Sequence, residues 1–349
     1  MLITTPLTIN KKVNNMKNKL LLTSALVGSL AMTGISTAEV KIGVNHEQTF
    51  AASSMDNNLG SSSILGSETN FSASGKNELD NGFAVGFNFN WEMDGSATRE
   101  YQMSIGNDTA DLIFGNDLTQ GINSTAVPKV GEHPGTIAGR GIATAYQDSF
   151  NAAENNQDEH VAIQLKGIAG GKIVAIYAPN AGSDQDDAAI GTGVTSGAGS
   201  TFSYVGKPVE NLTVVLAQAE KRGANASSVA TNKEDKEKVY GIGYNFGQFA
   251  VGVEKRDLDD GAGAKDIKGM YYGATANLSD QLSVGIGYTV AEDDTTTSNP
   301  DEKQTVVTIG YNFGGLGIEL SYADVENAAN STASSADGEV MQLRTKASF

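Results

Sequence analysis

Three histidines, no cysteine and many serines limit the covalent chemistry open to this 349-residue chain. His46, His133 and His160 form no HxxxH or HExxH pair, so the spacing that sets two imidazoles around zinc is missing. A hydrolase needs a serine, a histidine and an orienting acid or amide held together. With serine this abundant, a chance match carries no information. Lack of cysteine removes thiolate nucleophiles, thiolate metal ligands and disulfides at once. The acidic runs Asp184-Gln-Asp-Asp187, Asp257 to Asp260 and Glu292-Asp-Asp294 offer oxygens to a hard cation, but none follows the spaced EF-hand loop. They read as solvated loops that hold Ca²⁺ loosely at most. The expectation is therefore no catalytic residue, no metal site, no cofactor and no enzyme.

The elements that would have to position any functional side chain are strands. Phe83, Val85, Phe87, Phe89 and Trp91 fall on one face of a period-2 pattern, with Ala84, Gly86, Asn88 and Asn90 on the other. The same alternation recurs at Tyr240/Ile242/Tyr244/Phe246, Leu282/Val284/Ile286/Tyr288/Val290 and Leu316/Ile318/Leu320/Tyr322, and each time small or polar residues fill the second face. About sixteen such segments fit between residues 39 and 349, an even number as bacterial barrels require. Short links such as Ala169-Gly170, Gly247, Ser279-Asp280 and Gly314-Gly315 alternate with long polar ones such as 180–199, 222–235 and 326–337. That asymmetry points to a transmembrane antiparallel β-barrel with turns at one end and loops at the other. Aromatic residues cluster beside the short links and again several residues higher on the outward parity, as two membrane interfaces favour.

The first 38 residues read as a targeting segment. Residues 16–38 have a basic start at Lys17 and Lys19, an apolar run from Leu20 to Ala31 and a small-residue cleavage site at Ser36-Thr37-Ala38. Residues 1–15 read as an extension ahead of a more natural start at Met16. Removal of this leader takes four lysines and no acid, leaving 20 basic against 41 acidic residues and moving the formal charge from −17 to −21. Such a balance argues against nucleic acid as a partner and suits a lumen or surface that meets cations.

Three features together resemble the trimeric general porins of Gram-negative bacteria, in their compact alphaproteobacterial form. They are the leader, the alternating last strand from Gly338 to Phe349, and a long insertion after the fifth strand. The resemblance covers residues 39–349 and implies an all-β barrel of about 16 strands whose third loop, here about 116–158, folds into the lumen. It also implies an outer-membrane location, a homotrimer, contact with outer-membrane lipid and lipopolysaccharide, and a terminal Phe349 read by the barrel-assembly machinery.

A diffusion pore needs no catalytic group, because selectivity comes from width and from opposed charges across the lumen. On the insertion the candidates are Asp117, Glu132, Asp148, Glu154 and Asp158; on inward wall positions they are Lys41, Lys166, Arg344 and Lys346. The expected function is a passive, water-filled channel for small hydrophilic solutes and ions, cation-preferring. The rival is a non-channel surface β-protein, an adhesin or structural protein.

Overall fold

The computed structural model describes residues 39–54, 63–93, 99–116, 122, 124–130, 160–179, 181–182, 194–196, 198–222, 234–259, 266–294, 299–332 and 336–349. The leader, Asp117 and the insertion from 131 to 159 lie outside the described residues. The strands are β1 (Glu39–Ser53), β2 (Ser63–Glu78), β3 (Ala84–Glu92), β4 (Arg99–Gly106), β5 (Ala110–Gly115), β6 (His160–Ile168), β7 (Gly171–Ala178), β8 (Ala181–Gly182), β9 (Val194–Ser196), β10 (Gly199–Val209), β11 (Leu212–Arg222), β12 (Glu234–Asn245), β13 (Phe249–Asp259), β14 (Asp266–Asn277), β15 (Leu282–Asp293), β16 (Glu302–Asn312), β17 (Leu316–Glu326) and β18 (Gly338–Ser348). Sixteen of them close an antiparallel barrel in chain order, with β1 paired to β18. Among the described residues no helix is long and apolar enough to cross a membrane.

Closure matters because hydrocarbon offers no hydrogen bonds, so only a sheet without edges can cross it. The seam is zipped to its last residue: the Val44 N–H donates to the Phe349 carbonyl at 3.0 Å, and the Phe349 N–H donates back to the Val44 carbonyl at 2.9 Å. Phe349 is therefore part of the wall's hydrogen-bond ladder. A strand of eleven or twelve residues, such as β17 or β12, rises about 36–40 Å and, tilted by about 45°, spans about 25–28 Å of hydrocarbon.

The alternation read from sequence maps onto the two faces. Met103, Ile163, Phe202, Leu216, Ile242, Ile286, Val307, Leu320 and Leu343 are exposed on the outside, while their strand neighbours are buried or half-buried within. Tyr240, Tyr272, Tyr288 and Tyr322 form one outward aromatic level, with the Tyr272 and Tyr288 rings paired across β14 and β15 at 6.3 Å. Tyr244, Phe246, Phe249 and Phe313 form the other, beside the turns. The repeated Gly-Tyr-Asn-Phe-Gly is turn chemistry. Asn245 and Asn312 each accept, through Oδ1, the N–H of the glycine two residues on, and Gly247 and Gly314 take the left-handed φ values of 87° and 94° that close the hairpins.

Three features depart from the sequence reading. Asp257, Asp259, Glu292 and Asp293, expected in solvated acidic loops, are paired residues of β13 and β15, because these strands run on past their apolar alternation into charged loop ends. The link between β7 and β10 carries a small antiparallel ribbon, β8–β9, invisible beforehand because its Gly-rich polar stretch has no apolar alternation. The link after β17 makes a 3₁₀ turn, Ala328–Asn330, that packs with inward Val306, Ala323, Val325 and Val340. There the Asn330 amide donates to the carbonyls of Ala291 and Pro300 at 2.9 and 3.0 Å.

Candidate functional site

The inside of the barrel is not an even tube, because part of the insertion after β5 lies against one wall. Ile122 packs with Val215, Ala217, Ala219 and Val239 on β11 and β12. Residues 124–130 then form an irregular strap that crosses the inner face towards the turn end, reaching Gly285 and Gly310 of β15 and β16 through Val130. The wall beneath is built from inward glycines. A Cβ at Gly243 would overlap the Ala126 carbonyl oxygen, and one at Gly273 would overlap the Val127 side chain. No larger residue fits at either position while the strap stays where it is.

Charge completes this seat. Glu254 and Arg256 lie two apart on β13 and so share the inner face. Arg256 donates to Glu254 Oε1 at 3.0 Å and to Glu237 Oε1 of β12 at 3.2 Å, with all three side chains buried. The second oxygen of Glu254 accepts the Ala126 N–H at 3.2 Å. One carboxylate thus joins the strap's backbone to a guanidinium fixed in the wall. Such an N–H would otherwise stand unsatisfied in a buried place, at a cost of about 1–3 kcal/mol.

Elsewhere the inner wall borders open space. A cavity of about 530 Å³ lies over the turn-end half of β2–β6, lined by Lys76, Asn88, Gln102, Ser104, Asp111 and Lys166 among others. A second of about 400 Å³ lies between the strap and β14–β18, lined by Lys129, Asn277, Glu319 and Lys346 among others. Polar side chains on both walls keep these spaces wettable. No group of three or more His, Asp or Glu among the described residues is disposed to hold a metal ion.

The four described candidate residues occupy inward register positions near the turn end or the seam. Lys41 of β1 is exposed opposite Ser74 of β2. Lys166 is drawn to Asp111, at 2.7 Å, and to the Asn107 carbonyl, at 2.8 Å. Arg344 forms a bidentate pair with Glu47 across the β1–β18 seam, and its Nη1 stands 3.7 Å from Glu319. Lys346 follows two residues later on the same face and lines the second cavity. Asp117, Glu132, Asp148, Glu154 and Asp158 lie outside the described residues. Sequence reasoning missed Glu237, Glu254 and Arg256, and missed Glu47, Glu319 and Asp111 as partners of the nominated bases. The signal was available in part: extending the inward parity of β13 by two residues places Glu254 and Arg256 side by side.

The profile of the family described as "Gram-negative porin" matches residues 23–333. Among curated proteins none matches the chain. Solved structures that resemble it include an anion-selective porin from Comamonas acidovorans, with a TM-score of 0.64 at 15% identity, covering 90% of this chain and 100% of that one. A mutant of the Rh. blastica porin also resembles it, with a TM-score of 0.55 at 14% identity and coverage of 89% of this chain and 100% of that one.

Proposed function

The chain belongs to the Gram-negative porin family, an outer-membrane channel protein and not an enzyme, and from that premise we propose a passive, cation-preferring, water-filled pathway for small hydrophilic solutes and ions. The observation that carries the reading is a lumen with one wall covered by the strap and the other lined by polar and charged side chains around open cavities. We take the cation preference from the acidic excess, −21 once residues 16–38 and the extension before them are removed. The five acids on the insertion are proposed to face Lys41, Lys166, Arg344 and Lys346 across the constriction. In a planar bilayer with a salt gradient, the reversal potential is expected to take the sign of cation preference. Anion preference, as in the Comamonas porin's description, would overturn the charge assignment and leave the channel standing.

The proposed assembly is a homotrimer, and the outer surface supplies a reason. On β1 and β2 the outward parity carries His46, Gln48, Ser67 and Thr69 where other strands carry apolar residues. The His46 imidazole and the Thr69 hydroxyl are 2.9 Å apart, and the Gln48 amide donates to the Gly66 carbonyl at 2.6 Å. Polar groups facing lipid are costly, and a neighbouring protomer would cover them. Ser67→Trp is expected to shift the unheated protein from trimer to folded monomer on a gel. An unchanged trimer would place the interface elsewhere.

Above the tyrosine level, Lys238, Asp257, Lys268 and Glu292 follow one another across β12–β15 on the outward face. This alternating row suits the phosphate and divalent-ion layer of lipopolysaccharide, with Ca²⁺ held loosely at most. The barrel-assembly machinery is proposed to read the last strand and Phe349.

A further inference from the structure

The inner wall of a water-filled barrel has no need of apolar side chains, yet the loop end of β16–β18 carries them. Val306 of β16, Ala323 of β17 and Val340 of β18 stand opposite one another in one inward row, and Val325 lies two residues beyond Ala323 on the same face. All four are buried. Ala328 and Ala336, from near the two ends of the segment that joins β17 to β18, pack into the same cluster. Long loops of an outer-membrane barrel stand at its outer end. This one turns back into the mouth.

The residue types explain the turn. Asn327 and Asn330 take left-handed φ values of 54° and 56°, which asparagine tolerates better than most residues because its short side chain bonds locally. They flank the tight turn through Ala328. Their amides then tie the turn to the neighbouring link between β15 and β16. Asn327 donates to the Asp301 carbonyl at 3.0 Å, and the buried Asn330 donates to the carbonyls of Pro300 and Ala291 at 3.0 and 2.9 Å. The Asn327 N–H donates to Asp337 Oδ1 at 2.7 Å, which draws the far end of the segment back to its start.

We propose that this segment is a second inward-folded element of the channel, and that it sets the largest solute able to enter from the loop side. The inference rests on the channel reading and adds an entry filter to it. The strap covers β11–β16 towards the turns, and this segment covers β16–β18 towards the loops. Across the mouth the inward Asn90 of β3 and Glu100 of β4 stay half-exposed, so open width remains on that side. The seat is aliphatic and the ties are neutral amides to carbonyls. The filter is therefore one of size and not of charge.

Because the chain has no cysteine, single introduced thiols report on the segment alone. In the folded, heat-modifiable protein, Ala328→Cys and Ala336→Cys are expected to react with a charged, membrane-impermeant thiol reagent about tenfold or more slowly than Thr332→Cys, which is exposed in the same segment. Equal rates at the three positions overturn the inward fold, whether or not the protein conducts. The filter is read with poly(ethylene glycol) of graded size, added to one side of a planar bilayer, as the largest polymer that still lowers single-channel current. The loop side is the one from which the reagent reaches Thr332→Cys.

Ala328→Glu with Ala336→Glu sets two carboxylates against four aliphatic side chains, which drives the segment out of its seat. The loop-side cut-off is expected to shift to larger polymers, and the turn-side cut-off to stay. Asn330→Ala removes two ties without adding charge and is expected to shift the loop-side cut-off the same way by less, so the test stands even if the double variant does not fold. An unchanged loop-side cut-off in the folded variants, with conductance steps present, overturns the filter and leaves the channel reading intact. Absence of steps in the unaltered protein overturns both.

Discussion

Valine at position 243 is expected to lower single-channel conductance, because a strap pushed off the wall can move only towards the barrel axis. The side chain would meet the Ala126 carbonyl, a backbone atom with no rotamer to escape into. The wall behind cannot retreat, since β12 is hydrogen-bonded on both sides within a closed ring. Overpacking of this kind costs about 1–3 kcal/mol, so a lowered urea midpoint should accompany the conductance change. Gly273→Val, under Val127, should behave alike. Gly66→Val is the control: it faces inwards on β2 opposite Thr49, and a Cβ there meets nothing within 4 Å. Equal conductance losses at 66 and 243 would show that added bulk in the lumen, and not the displaced strap, is responsible.

The second large effect is expected from Arg256→Met. The guanidinium is the partner of two buried carboxylates, Glu237 and Glu254, on neighbouring strands. Breaking a buried ion pair by removing one partner costs about 3–5 kcal/mol, whereas replacing all members by neutral groups of similar size is close to neutral. Urea unfolding of the refolded barrel in vesicles should therefore show a large loss for Arg256→Met. Much of it should return when Glu237→Gln and Glu254→Gln are added. The single variant should also give noisier open-channel current, because Glu254 holds the Ala126 N–H. Full stability in the single variant would show that the three charges contribute little to holding β12, β13 and the strap together.

The sequence carried the barrel because its signal is local and repeated. Each strand states its own outward face, as Phe83 to Trp91 do, and the alternation of short and long links states which end is which. Closure follows from the same logic, with an even strand number bringing β18 back beside β1. The strap's seat was illegible for the opposite reason. Ala126 and Glu254 are 128 residues apart, and Gly243 and Gly273 look like ordinary small inward residues until a backbone segment is laid against them. The nominated bases were legible as inward positions. Their compensation by Glu47, Glu319 and Asp111 depends on cross-strand register, which alternation alone does not set.

The porin fold accommodates this division of labour. One wall, from β11 to β16, is spent on fixing the strap with apolar contacts, glycines and one buried charge cluster. Open space elsewhere is bordered by lysines, carboxylates and amides, and these can set which ions pass. The most direct measurement is planar-bilayer recording of the purified, folded protein in symmetric salt. Uniform conductance steps are expected, as a water-filled lumen narrowed by a fixed strap requires. A protein that migrates as a folded, heat-modifiable barrel yet gives no steps would contradict the channel reading and leave a non-channel surface protein in its place.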